Sequence, residues 1–155
     1  MIIPGDITLI DRGVIGHQVN CIYSMGSGVA RELYTKFPSV RMDYLSKHSW
    51  ALGDVQFIHI NKELYVANMA GQYSCGNDKN TVYTNICALT TCFRKLKKFS
   101  EENNLPAYVP KNIGCGLGNE NWEENVYPMI LDIFPKCVIV NYALNVYPEL
   151  KTDTQ

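Results

Sequence analysis

Two short glycine-rich segments hold the residues best suited to grip an anion. The first is Ser24-Met25-Gly26-Ser27-Gly28-Val29-Ala30 and the second is Gly114-Cys115-Gly116-Leu117-Gly118. Glycine lets backbone N–H groups approach a ligand closely. A helix starting just after such a loop adds the positive end of its dipole. Two loops of this kind facing each other make a cradle for a diphosphate; each alone also reads as a tight turn. His17 lies three residues before Asn20, on the segment that feeds the first loop. An imidazole there can donate to a terminal phosphate or relay a proton for it, or it can be a satisfied histidine at a strand end. Residues three apart on a strand face opposite sides. His17 and Asn20 therefore share a site only if the strand ends or bulges between them. Cys115, between two glycines, stands where amides can lower a thiol pKa. A cysteine hydrolase also wants a His–Asx pair, and none is legible, so Cys115 reads as a small packing residue. His59, in an apolar strand, reads as structural.

These loops need elements to hold them, and the chain supplies an alternation of strands and helices. Residues 7–10 (Ile-Thr-Leu-Ile) read as a first strand and residues 14–21 as a second, which ends in the first glycine loop. Val29, Leu33 and Phe37 recur at helical spacing until Pro38. Residues 43–50 suggest a second short helix. A hairpin follows, with strands over 55–60 and 64–67 around Asn61-Lys62-Glu63. A polar loop over 71–80 leads to the clearest helix, where Val82, Ile86, Leu89, Phe93 and Leu96 line one face. Arg94, Lys95, Lys97 and Lys98 then fall in its last turns, which suits the dipole, and read as a solvated face. Residues 107–110 form a short strand before the second glycine loop. Asn121 and Glu124 have the spacing of a capping box, and Pro128 within the following apolar face predicts a bend. Residues 137–142 read as a last, buried strand. The expected architecture is a three-layer α/β/α sandwich on a mixed, mostly parallel sheet. One domain is expected over residues 1–148, with a flexible tail over 149–155.

Composition removes several classes of function. The chain has 155 residues, a formal net charge of −1 and 46% hydrophobic residues. That length supports a single domain with a sizeable core, and the low charge argues against bulk nucleic-acid binding. Six cysteines include no C-x-x-C pair, and no histidine stands at zinc-ligand spacing from them, so no metal is implied. No apolar run approaches a membrane span. The N-terminus shows no signal-peptide pattern, and a reducing cytoplasm with free thiols is expected. There is no G-x-x-x-x-G-K-[ST]. Gly26-Ser27-Gly28 begins a G-x-G-x-x-G, but Arg31 occupies its third glycine position, against a dinucleotide dehydrogenase.

Taken in order, Gly5-Asp6-Ile7-Thr8, Val19-Asn20-Cys21 before the first glycine loop, and Ile113-Gly114-Cys115-Gly116-Leu117 before Trp122-Glu123-Glu124-Asn125-Val126 resemble the macrodomain family. Within it they look like the branch holding terminal ADP-ribose–glutamate hydrolases and small yeast and phage ADP-ribose 1″-phosphate phosphatases. The resemblance runs from Gly5 to Tyr142. It implies ADP-ribose as ligand and no cofactor. Asp6 would accept from the adenine amine with Ile7 beside it, since a carboxylate only accepts. Asn20 would lie near the distal ribose, and Ser24, Met25, Gly26, Ser27, Gly28 and Val29 would wrap the distal ribose and its phosphate. Gly114, Cys115, Gly116, Leu117 and Gly118 would hold the diphosphate from the other side, and Asn141 and Tyr142 would wall the adenine or proximal ribose. The glutamate-linked hydrolases carry a lysine after the middle strand and an aspartate just after G-C-G-L. Here Asn68-Met69-Ala70 offers no lysine, and Gly118 replaces the aspartate. The expectation is hydrolysis of ADP-ribose 1″-phosphate, with Asn20 and His17 as the catalytic pair. The alternatives are removal of ADP-ribose from protein or nucleic acid, and a non-catalytic ADP-ribose reader. The setting would be cytoplasmic, that of the host if the source is a phage.

Overall fold

The computed structural model describes residues 1–142, so the tail expected over 149–155 lies outside the described residues. Among the described residues, six strands form one sheet: β1 (Ile2–Pro4), β2 (Gly13–Val19), β3 (Val55–Asn61), β4 (Leu64–Ala70), β5 (Ala107–Pro110) and β6 (Val138–Asn141). Their order is β1-β6-β5-β2-β4-β3. Only the β3–β4 hairpin is antiparallel. Helices α1 (Gly28–Lys36) and α2 (Ser39–Ser46) cover one face, and α3 (Ile86–Asn103) and α4 (Tyr127–Ile133) cover the other. This is the expected three-layer sandwich.

Strand alternation sorts the core into its two layers. Val14 of β2 packs with Ala67, Leu89, Phe93 and Leu96 under α3, while Ile15 packs with Leu33, Val40 and Val66 under α1 and α2. Leu33, Leu89, Phe93 and Leu96 are fully buried, each contributing about 1.5–3 kcal/mol of apolar transfer. By the same parity His17 points to the α1–α2 layer and Gln18 to the α3 layer.

Several boundaries differ from the sequence reading. Residues 7–9 are not a strand but a 3-10 turn, capped by Asp6, whose Oδ1 accepts from the Thr8 amide (2.9 Å) and the Thr8 hydroxyl (2.7 Å). The first strand is Ile2–Pro4, at the sheet edge, where proline is tolerated. Helix α2 starts at Ser39, directly after Pro38, rather than at residue 43. Helix α3 starts at Ile86 because the Asn85 side chain caps it, and Val82 is left 55% exposed. It also runs on to Asn103, so Arg94 to Lys98 occupy its middle and not its last turns. Pro128 causes no interior break. Residues Trp122–Val126 form a wide π turn capped by the Asn121 side chain, and the proline falls in the first turn of α4, where its missing N–H is harmless.

Candidate functional site

Strands β2, β4 and β5 end side by side, and the loops that leave them converge. Such a place, outside the carboxyl ends of parallel strands, is where open α/β sheets hold ligands. β2 ends at Val19, so Asn20 already belongs to the loop and is free to turn back over the strand end. His17 and Asn20 therefore line one cavity despite their spacing.

The first loop is shaped by Asn20. Its Oδ1 accepts from the amides of Ile22 and Ser24 (both 3.1 Å) and from the Tyr44 hydroxyl (2.7 Å), and its Nδ2 donates to the Ser24 carbonyl (2.6 Å). Tyr23 takes a left-handed conformation in this loop, φ 62°, and its hydroxyl donates to the Lys47 carbonyl at 2.7 Å. The loop then enters α1. The first bond within that helix is from the Arg31 amide to the Ser27 carbonyl, 3.3 Å. The amides of Gly28, Val29 and Ala30 have no partner carbonyl one turn back, and all three residues line the cavity. A Cβ at Gly26 would meet nothing within 4 Å, so this glycine borders open space.

The second loop turns at Asn112 (φ 68°), Gly114 (φ 76°) and Asn119 (φ 63°). It is clasped to the loop between β4 and α3. The Gly118 carbonyl accepts from the amides of Tyr83 (2.9 Å) and Thr84 (3.1 Å), and the Thr84 hydroxyl donates to the Gly114 carbonyl (2.7 Å). Asn119 Nδ2 adds bonds to the carbonyls of Asp78 (3.0 Å) and Thr81 (2.7 Å). A Cβ at Gly118 would lie 2.2 Å from Thr84 Oγ1 and 2.5 Å from the Gly114 carbonyl oxygen, so only glycine fits this clasp.

Two adjoining cavities result, with Val29, Pro110, Asn112 and Gly116 as a shared wall. The larger, about 440 Å³, is lined by His17, Asn20, Ser24 to Ala30, and Gly114, Gly116, Leu117 and Gly118. The smaller, about 330 Å³, is lined by Asp6, Ile7, Cys115, Asn141 and Tyr142. Every residue expected in the site borders one or the other. Gln18 also lines the larger cavity and was not singled out, and Gln72, Cys75, Gly76 and Asn77 of the polar loop line it as well. The polar loop over 71–80 is too uniform in composition to mark which of its residues turn inward.

Among the described residues, none that lines the larger cavity is Asp, Glu, Lys or Arg. His17 is 2% exposed, and burial lowers its pKa from 6.5 to about 4, so the ring is neutral at neutral pH. Its Nε2 meets Asn68 Oδ1 at 2.5 Å, and its Nδ1 is buried without a partner among the described residues. Burial and Glu120 push the Cys115 thiol up to about 12, which suits packing and not nucleophilic attack. His59 is exposed, bonds the Lys62 carbonyl and stacks on Tyr65, away from the cleft. Asp6 commits Oδ1 to the Thr8 cap, leaving Oδ2 for a ligand in the smaller cavity.

No protein-family model matches the chain. Solved structures resemble it over nearly its whole length. A protein from Bacteroides thetaiotaomicron superposes with a TM-score of 0.79 at 30% identity, covering 92% of this chain and 99% of that one. The macrodomain of Mycobacterium tuberculosis DarG gives 0.71 at 19% identity, covering 92% and 97%. The Oceanobacillus iheyensis macrodomain with ADP gives 0.62 at 17% identity, covering 98% and 87%. The fold is therefore that of the macrodomains. An uncharacterised 17.5 kDa protein from the tk–vs intergenic region of Enterobacteria phage T4 is 31% identical over 146 residues, 85% of this chain and 87% of its own. The chain belongs to a macrodomain-fold family that includes the phage T4 and B. thetaiotaomicron proteins.

Proposed function

We propose that the paired cavities bind ADP-ribose and that the protein hydrolyses ADP-ribose 1″-phosphate to ADP-ribose and phosphate. The adenine end lies at Asp6, the diphosphate between the α1 amides and the second glycine loop, and the distal ribose in the larger cavity. A macrodomain of the same fold has been solved with ADP, which supports a nucleoside diphosphate in this cleft. The observation that carries the catalytic reading is His17, a buried neutral imidazole with an unpartnered nitrogen at a cavity opened by free helix amides.

The chemistry needs little from side chains. Backbone N–H groups hold the transferring phosphoryl oxygens and stabilise charge that builds on them. Water attacks phosphorus, the P–O1″ bond breaks, and O1″ leaves as the ribose hydroxyl with a proton drawn from solvent, to which His17 later returns the proton it takes. His17 takes a proton from the attacking water, and the adjacent phosphate raises its basicity by opposite-charge attraction as the ring becomes cationic. Asn20 acts as a positioning residue, since its carboxamide shapes the loop that carries the amides.

A second reading is favoured by the uncharged lining of the larger cavity. Removing ADP-ribose from a side chain calls for a group to handle the anomeric carbon, and no lysine or carboxylate of the described residues lines this end. A non-catalytic reader fits that lining better than such a hydrolase. One assay separates them: ADP-ribose 1″-phosphate, ADP-ribosylated protein and ADP-ribosylated nucleic acid offered side by side. Phosphate release from the first alone is expected. Tight ADP-ribose binding with no turnover of any substrate would replace the phosphatase by the reader.

A further inference from the structure

His17 and Asn68 are register partners on the adjacent parallel strands β2 and β4, and both face the α1–α2 layer. Asn68 is 0% exposed, and its Nδ2 donates to the Val40 carbonyl and to Gln56 Oε1, both at 3.0 Å. The Val40 carbonyl can only accept, so the amide cannot be reversed without opposing two oxygens. Oδ1 must therefore be the atom facing His17. An amide oxygen is also only an acceptor, so the ring nitrogen it meets, Nε2, must carry the proton. A neutral imidazole has one N–H, which leaves Nδ1 with a bare lone pair. That atom is buried, has no partner among the described residues, and belongs to a residue lining the larger cavity.

We propose that Asn68 is a positioning residue that fixes His17 as the Nε2–H tautomer and so leaves Nδ1, on a residue that borders the cavity, as an acceptor. The group it receives is a donor, a water or a ligand hydroxyl, and not an ionised phosphate oxygen, which has no proton to offer. This deepens and rests on the hydrolytic reading above, where it places the attacking water and not the phosphoryl group against the ring. The chain of constraint runs from the Val40 carbonyl on α2 through Asn68 to His17. Burial keeps the ring neutral, so only the two neutral tautomers compete, and the Asn68 oxygen decides between them. The alternative tautomer, Nδ1–H, would set two lone pairs against each other at Nε2 and Oδ1 in a buried place, where an unmade bond costs about 1–3 kcal/mol.

The test is long-range 1H–15N NMR of the full chain labelled with 15N-histidine, the His17 ring being assigned by its loss in His17→Gln. The ligand-free wild type at neutral pH should show a protonated Nε2 and an unprotonated Nδ1. Nδ1–H in the wild type overturns the proposal. Asn68→Leu removes the acceptor at nearly constant volume and should give a mixture of tautomers, with turnover of ADP-ribose 1″-phosphate falling about 10- to 100-fold as for a misdirected base. Gln56→Ala leaves the Val40 bond and should keep the single tautomer. An unchanged single tautomer in folded Asn68→Leu shows that something other than Asn68 sets the ring, and also overturns the proposal. If Asn68→Leu does not fold, the wild-type spectrum still decides the tautomer. A wild type with the expected tautomer but no phosphate release sinks the phosphatase reading and leaves the acceptor assignment standing; ADP-ribose should then move the Nδ1 resonance on binding.

Discussion

Replacing His17 by glutamine should flatten the acid side of the stability profile. The ring has a pKa of about 4 in the folded protein against 6.5 for the free side chain. Here the folded value is the lower one. Between the two values the unfolded chain holds a proton that the folded chain refuses, so acid favours unfolding. The effect is absent above pH 6.5, grows as pH falls through the window, and levels off below pH 4. Each pH unit within the window is worth about 1.4 kcal/mol. From pH 6.5 to 4.5 the wild type should lose about 2–3 kcal/mol through this residue alone, a large share of an ordinary domain's stability. Asp54 and Asp78, whose carboxyls are held below the ordinary range by hydrogen bonds and, for Asp54, by Lys47, also lose stabilisation in acid. The difference between wild type and His17→Gln removes their contribution. Urea melts of both proteins at half-unit steps from pH 7.5 to 4.5 measure it. Parallel curves would mean that His17 titrates in the folded protein as it does in water, and the buried, neutral ring on which the catalytic reading depends would be wrong.

Three further outcomes are expected. Gly118→Ala forces a methyl onto Thr84 Oγ1 and the Gly114 carbonyl, and should lower stability by about 1–3 kcal/mol and abolish ADP-ribose binding, whereas Gly26→Ala faces open space and should melt like wild type while binding more weakly; melts with calorimetry check both, and a Gly118→Ala protein that binds normally would remove the clasp from the site. Asp6→Ala should lose both a helix cap, about 0.5–2 kcal/mol of stability, and about 1.5–3 kcal/mol of ADP-ribose affinity; Asp6→Asn should restore the cap while leaving the affinity reduced, and equal affinity in all three proteins would take Asp6 out of the ligand's reach. Asn20→Ala strands the Ile22 and Ser24 amides while the Tyr44 hydroxyl keeps the Asn20 backbone carbonyl, and should cost about 1–3 kcal/mol of stability, with weakened ADP-ribose binding by titration; a variant as stable as wild type would show that the loop holds its shape without it.

The layered fold was legible because its signals are local. The apolar stretches of β2, β4 and β6 and the periodic face of α3 announce themselves in single windows of sequence. Ends were harder, because they are set by single capping side chains. Asn85 starts α3 four residues after Val82, and Asp6 turns an apolar quartet that looks like a strand into a 3-10 turn. The glycine loops were legible as loops, but not the reason for each glycine: Gly26 borders empty space while Gly118 is locked under Thr84. Asn68 could not have been found from the sequence. Its importance comes from strand register, which sets it beside His17 across 51 residues of chain, and a single sequence carries no trace of that pairing.

The amides at the start of α1 have a consequence for how this binding surface tolerates change. Val29 and Ala30 border the cavity, yet what the proposed site takes from them is main-chain N–H, which substitution does not remove. Drift at these positions can alter size and polarity along the wall without deleting a single donor, provided the turn and the helix start survive. In the proposed site, recognition of the anion is thus encoded as a conformation and not as a set of residue identities. Two proteins of this fold can share a ligand while agreeing at few positions, and the residues that guard the shared property are ones such as Asn20 and Gly118, which shape the backbone from the side.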